Sequence, residues 1–292
     1  MPCGDLALTN SVVLITGGGS GINFAFSKLV FEAGAKILIA DLTLTEDARK
    51  FVASVPSEKV TFVKCDVTRR ADLENLIKAS RDTFGTVPDV YVAGAGVFEP
   101  DWSTWWDDTE DDGYKQLDIN ATHPMKLTRI ATKALLSEQK KGVILILASL
   151  AGFLGTFSAP LYCASKHAVI GFVRSMADLD CYANIRVHAI APGMVQTPLW
   201  LNNPEKMSRF GYDPKTAVTA ETVAKAMIDT VINGKYQGGE SVEITVSGTR
   251  VLGTWNLDPP SSSGTSVPQE VIDKNHAPLM AILDKERGPL KR

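Results

Sequence analysis

The sequence predicts a doubly wound α/β domain, a parallel sheet with helices on both faces. Three observations predict it. Short β-branched apolar runs alternate with stretches of helical periodicity from Val12 to Val246. A glycine-rich turn, Gly17-Gly18-Gly19-Ser20-Gly21, follows the first run. An acid, Asp41, closes the second run about 20 residues later, the layout of a dinucleotide-binding βαβ unit.

Taken in order, Val12-Val13-Leu14-Ile15 is a buried strand ending at Thr16, and the segment through Phe24, Phe26, Leu29, Val30 and Phe31 is a helix that Gly34-Ala35 closes. Lys36 to Ala40 is the second strand. A helix over 47–55, a strand over 60–65 ending at Asp66, and a helix from Arg70 to Phe84 follow. Val90-Tyr91-Val92 is a strand running into Ala93-Gly94-Ala95-Gly96. An acidic loop carries Trp102, Trp105 and Trp106, at least two of which are expected to pack beneath it. The pattern then gives one helix from about Asp111 to Gln139, a strand over 143–147, a helix from Tyr162 to about Tyr182, a strand over 185–190, a helix from Thr219 to Ile232 and a last strand over 241–246. No boundary separates two domains, so residues 1–252 are expected to form one Rossmann-like dinucleotide-binding and catalytic domain. Asp258 to Gly264 is linker-like, and Pro268 to Arg287 reads as a helix that Pro278 breaks or kinks. Residues 253–292 are expected to be a C-terminal extension that caps the substrate or contacts a subunit.

Composition excludes several function classes. A net charge of -3 with interspersed acids and bases offers no surface for nucleic acid or an anionic membrane. No apolar run reaches the roughly 18 residues of a membrane span, and the first residues lack a signal-peptide pattern. Cys3, Cys65, Cys163 and Cys181 have no metal-ligand spacing, so neither metal nor disulfide is expected, and the compartment is expected to be cytoplasmic.

The chemistry concentrates at Tyr162-Cys163-Ala164-Ser165-Lys166. On a helix, positions four apart share a face, so a phenol and an ammonium project together. A nearby ammonium favours phenolate, and the Tyr162 pKa is expected to fall from its usual value of about 10. Such a phenol can exchange a proton with a reacting oxygen. The pair alone is equally a packed ring beside a solvated cation. In the glycine-rich turn, Gly17 and Gly21 let backbone N–H groups approach a pyrophosphate at a helix N-terminus. Asp41 can accept hydrogen bonds from an adenosine ribose and would repel the extra phosphate of NADP, which favours NAD. Asp66 is placed to accept from an adenine amino group.

Together, Thr16-Gly17-x-x-x-Gly21, Asp66-Val67, Ala95-Gly96, Asn120, Ser149, Tyr162-x-x-x-Lys166 and Pro192-Gly193 resemble, in order and spacing, the short-chain dehydrogenase/reductase family over about Val12 to Val246. Stretches such as Ala148-Ser149-Leu150-Ala151-Gly152 and Ala191-Pro192-Gly193-Met194-Val195-Gln196-Thr197 resemble its 15-hydroxyprostaglandin dehydrogenase-like members. The resemblance implies Tyr162 as catalytic acid/base, with Lys166 lowering its pKa and binding nicotinamide ribose. It implies Ser149 as the group holding the substrate oxygen and Asn120 as the holder of a relay water. Cofactor contacts are implied for Gly17, Ser20, Gly21, Ile22, Asn23, Asp41, Asp66, Val67, Ala93, Pro192, Gly193, Val195 and Thr197, alongside Tyr162 and Lys166. A homodimer or homotetramer is implied as well.

Two residues depart from the family pattern. Asn23 stands where a third glycine is usual, and Ala93-Gly94 replaces a pair of asparagines, which bears on cofactor affinity. Phe153, Leu154, Phe157, Met194, Leu199 and Trp200 are expected to line a substrate site for a bulky, hydrophobic molecule. His123 and His167 are expected to be structural. The resulting expectation is NAD-linked hydride transfer at a secondary alcohol or ketone. A biosynthetic ketone reductase and a catalytically silent dinucleotide-binding protein remain as alternatives.

Overall fold

Apolar runs of four to six residues that are buried on both faces form the centre of the sheet. The computed structural model describes residues 3–253 and 269–287. Strands β1 (Val12–Thr16), β2 (Lys36–Asp41), β3 (Val60–Lys64), β4 (Val90–Ala93), β5 (Gly142–Leu147), β6 (Ile185–Pro192) and β9 (Ser241–Thr245) are parallel, in the order β9-β6-β5-β4-β1-β2-β3. β10 (Gly248–Leu252) adds an antiparallel edge to β9, a hairpin the sequence reading did not expect. Its side chains are mostly exposed, so it lacks the buried apolar run that revealed the other strands. Two-residue strands β7 (Val195–Gln196) and β8 (Val218–Thr219) pair separately, with α8 (Pro198–Leu201) and α9 (Pro204–Arg209) looped between them.

Each face of the sheet buries its own core. Helices α1 (Gly21–Glu32) and α10 (Ala220–Ile232) pack Phe26, Val30, Val223 and Met227 onto Val13, Ile15 and Ile37. Helices α3 (Arg70–Phe84), α5 (His123–Ser137) and α6 (Pro160–Ser175) pack Leu76, Leu127, Leu135 and Val173 onto Leu14, Tyr91 and Ile144. Each such fully buried side chain contributes about 1.5–3 kcal/mol of transfer free energy. α2 (Glu46–Ser54) starts where the Thr45 hydroxyl accepts from Ala48 N, and α3 stops at Gly85, which takes the left-handed conformation.

Two long helices are interrupted. The expected helix from Asp111 begins only at α4 (Lys115–Leu117), because the acidic run before it caps the helix: Glu110 accepts from Lys115 N and the Ser103 hydroxyl from Gln116 N. Residues Asp118–Thr122 then form a π-helical turn. His123 N–H reaches back five residues to Asp118 O, and Pro124 has no N–H to give the Asn120 carbonyl. The helix expected to run to Tyr182 ends at Ser175 and resumes as α7 (Leu179–Ala183), which Asn184 closes at φ 56.

At the C-terminal end of the chain, α11 (Gln269–Glu286) runs through Pro278 without a break in its assignment. It lies along α5, where Glu286 pairs with Arg129, Arg287 donates to Tyr182 O (2.6 Å) and Leu283 packs on the core. Among the described residues no helix is long and apolar enough to cross a membrane.

Candidate active site

β1 pairs with β2 on one side and β4 on the other, so the chain reverses direction across the sheet between β1 and β4. A crevice opens at the C-terminal ends of strands at such a switch point. The cleft there measures about 330 Å³, within the range of small-molecule sites. It is lined by Gly17, Ser20, Gly21, Ile22 and Asn23 of the turn, by Asp41, Asp66 and Val67 after β2 and β3, by Ser149, Tyr162 and Lys166, and by Pro192, Gly193, Val195 and Thr197. Ala93 does not line it. This residue is 1% exposed within β4 and faces the core, leaving Gly94, Ala95 and Gly96 to form the wall.

The phosphate end fits an anion. Ser20 makes no side-chain cap hydrogen bond and the first turn of α1 carries no acid, so no side chain satisfies the N–H groups at that helix end. Gly17, at φ 66, presses against the β4 loop so closely that a Cβ would lie 2.7 Å from Ala95 Cα. Asp41 Oδ2 accepts from Gly19 N (2.9 Å) and so braces the turn from outside. Asp66 is fixed by Thr68, which donates from its N (3.0 Å) and Oγ1 (2.7 Å) and holds the carboxyl below its ordinary pKa. The residues present fit a dinucleotide: a helix end free of side-chain caps and acids, with the Asp41 and Asp66 carboxylates farther along the same cleft.

At the other end, Ser149 follows β5 and its Oγ accepts from Ala151 N (3.1 Å), which fixes the hydroxyl beside the Tyr162 phenol. From there Ser149 acts on the phenol to lower its pKa. Tyr162 and Lys166 share a face of α6, with Lys166 Nζ 5.5 Å from the tyrosine ring centroid. Yet the ammonium donates to Leu147 O (2.6 Å) rather than to the phenol. This corrects the expected pKa: burial pushes Tyr162 up to about 12, and Ser149 offsets this only in part. Burial brings Lys166 itself down to about 8.

Asn120 does not line the cleft. In the π-helical turn its Nδ2 donates to Val97 O (2.8 Å) and its Oδ1 accepts from Val97 N (2.9 Å), clamping the β4 loop next to Gly96. His123 is structural, as expected. Its ring bridges Thr16 Oγ1 (3.1 Å) and Ile119 O (3.1 Å), and burial lowers it to about 4, leaving it neutral.

A profile of the short chain dehydrogenase family matches residues 11–208. The chain belongs to this family. Galactitol 2-dehydrogenase of Agrobacterium fabrum is 34% identical over 195 residues, 67% of this chain and 74% of that one. The NAD(+)-named 15-hydroxyprostaglandin dehydrogenase of Bos taurus is 31% identical over 212 residues, covering 70% and 75%. The solved structure of levodione reductase superposes with a TM-score of 0.68 at 26% identity, over 81% of this chain and 96% of that one. This short-chain dehydrogenase is thus an oxidoreductase of CH–OH groups that uses a nicotinamide cofactor.

Several features of this dehydrogenase's site were not read from its sequence. Glu99, 4% exposed, accepts through Oε1 from Tyr162 N (3.1 Å) and Gln116 Nε2 (3.0 Å), capping the helix that carries the phenol. Lys206 of α9 donates to Glu99 O (2.8 Å), tying the segment between β7 and β8 to the same turn. Phe98 sets its ring edge-on to Tyr162 at 4.8 Å and touches Trp200 and Phe210. The expected substrate wall is only partly realised. Leu199 and Trp200 line the cleft, but Phe153 stacks under Arg174, while Leu154 and Phe157 point to solvent. The tryptophan loop is inverted: Ser103 and Thr104 are buried, whereas Trp102, Trp105 and Trp106 are 43–50% exposed, with Trp106 edge-on to Phe157.

Proposed function

We propose that this dehydrogenase transfers hydride between NAD and a secondary alcohol or ketone on a bulky, hydrophobic molecule. The observation that carries this reading is that Ser149, Tyr162 and Lys166, the last one helical turn from the phenol, line one cleft whose other end suits a dinucleotide. A bound nicotinamide supplies the hydride acceptor. In the oxidative direction Ser149 holds the substrate oxygen while Tyr162, as phenolate, removes its proton. Lys166, held near 8 by burial, keeps a charge at neutral pH.

Support for a hydrophobic substrate comes from the wall facing Tyr162. Val97, Ile119, Leu199 and Trp200 line it, Phe98 and Phe210 stand behind it, and among the described residues Lys166 is the only basic one lining the cleft. A polyol would leave its hydroxyls without partners there. In a panel of alcohols assayed with NAD, aryl or long-chain secondary alcohols are expected to exceed galactitol and L-fucose in kcat/KM by at least about 100-fold. Trp200→Ala is expected to raise KM for the preferred alcohol about tenfold, as burial of an aromatic wall is lost. Preference for the sugars would overturn the assignment, and the same panel run from the ketones with NADH reads out the favoured direction.

A homodimer or homotetramer is proposed for the solution form. The exposed side of α6 carries small residues at Ala164, Ala168 and Gly171 beside His167, which lets a second helix approach closely along the small positions. Light scattering on the eluted protein is expected to give a multiple of 31.5 kDa, and a monomeric mass would refute it.

A further inference from the structure

The two departures from the family pattern, Asn23 and Gly94, meet in space although 71 residues separate them. Asn23 is buried in the first turn of α1. Its Nδ2 donates to Gly94 O (2.9 Å) and to Gly17 O (3.2 Å), so both amide hydrogens are used. The amide orientation follows from this, since Oδ1 could not face two carbonyls. Gly94 supplies the matching space. A Cβ built there would overlap the Asn23 amide, with Cγ only 2.6 Å away, and the three atoms nearest to it all belong to Asn23. The backbone at Gly94 lies outside the left-handed region, so nothing in its own conformation calls for glycine. What excludes a side chain is the amide arriving from the other element.

The remaining polar group of Gly94 is held from the same side. Thr16 Oγ1 accepts from Gly94 N (3.0 Å). Both peptide groups of Gly94 are therefore bonded by the β1–α1 segment, and the carbonyl of Gly17 is bonded by the same Asn23 that holds Gly94. Gly17, Asn23 and Gly94 all line the dinucleotide end of the cleft.

We propose that Asn23 is a positioning residue for the dinucleotide: its amide pins the phosphate-binding turn to the β4 loop, and Asn23 and Gly94 form a matched pair that can be exchanged only together. The family's amide, absent from the β4 loop, is supplied in this chain from the helix side. The altered positions thus preserve one link between the two walls, which removes the only sequence feature that suggested a silent binding protein. This inference rests on the dinucleotide reading of the cleft.

The test is a swap. Asn23→Gly, Gly94→Asn and the double variant Asn23→Gly/Gly94→Asn are compared with the unsubstituted protein for the dissociation constants of NADH and NADPH by fluorescence, for the steady-state constants, and for ligand-free urea midpoints. Asn23→Gly is expected to weaken NADH binding about tenfold, the worth of one or two hydrogen bonds, with KM for the dinucleotide rising by a larger factor than kcat falls. Gly94→Asn is expected to be worse in affinity and in midpoint. The double variant is expected to bind NADH within about threefold of the unsubstituted protein and to regain most of the lost midpoint, a coupling that independent sites do not show. If Gly94→Asn does not fold, a folded double variant carries the same conclusion. Undiminished affinity in Asn23→Gly overturns the positioning role, and a double variant no better than the poorer single overturns the pairing. If the unsubstituted protein binds neither NADH nor NADPH, the dinucleotide reading fails instead, and the ligand-free midpoints alone decide the pairing.

Discussion

Tyr162→Phe is expected to lower turnover by about 1,000-fold or more while leaving NADH affinity within about threefold, the signature of a lost proton-transfer group. The change deletes one oxygen. It keeps the ring, its edge contact with Phe98 and the helix start that Glu99 caps, so dinucleotide binding loses nothing that shapes it. Turnover close to that of the unsubstituted protein would remove Tyr162 from the mechanism. The pKa supplies a second, spectroscopic arm. In the ligand-free protein the phenol stands at about 12, so no tyrosinate from Tyr162 is expected at 295 nm below pH 10, judged against Tyr162→Phe. A phenol that high cannot serve as a base near neutrality. Positive charge must come closer to it than Lys166, whose ammonium donates a hydrogen bond to Leu147 O. Adding NAD is therefore expected to move the Tyr162 signal to lower pH, and Lys166→Met to move it back up.

The fold and the residue types of the site were legible because they rest on local signals. Val12–Thr16 and Lys36–Asp41 are apolar runs buried on both faces, and a parallel sheet needs such runs. The spacing from Tyr162 to Lys166 survives because one helix carries both. What could not be read depends on partners distant in sequence or on solvent exclusion. The phenol's upward shift is a burial effect, and the spacing of the lysine says nothing of Leu147 O, which takes the ammonium. Glu99 looks like one more loop acid until Tyr162 N and Gln116 Nε2 converge on it. The π-helical turn around Asn120 had one readable sign, Pro124, placed where its missing N–H leaves the Asn120 carbonyl free. The indoles of the 101–110 loop misled because size suggested burial, while the hydroxyls of Ser103 and Thr104 found hydrogen bonds inside and the rings did not need them. Asn23 and Gly94 read singly as two losses, and only their contact at 2.9 Å makes them one feature.

Asp41→Asn is expected to erase most of a preference for NAD over NADP, the second large effect. Asp41 ends β2 on the wall of the cleft, beside the turn whose Gly19 N–H it accepts at 2.9 Å. A ribose 2′-hydroxyl can donate to such a carboxylate, whereas a 2′-phosphate meets like charge. Leu42 follows it, and among the described residues no arginine or lysine lines this end of the cleft to offset the repulsion, since Lys166 lies at the Tyr162 end. For unit charges about 5 Å apart at a near-surface dielectric, the repulsion is about 3 kcal/mol, or roughly 150-fold in relative affinity. Asparagine keeps an acceptor for Gly19 N–H and removes only the charge, so the turn should hold its shape. The ratio of kcat/KM for NAD to that for NADP is expected to fall toward unity in Asp41→Asn, and to reverse in Asp41→Asn/Leu42→Arg, where a guanidinium can pair with the phosphate. If the unsubstituted protein used NADP as well as NAD, the carboxylate would not be the discriminating group, and the preference would have to be sought in the turn that Asn23 pins.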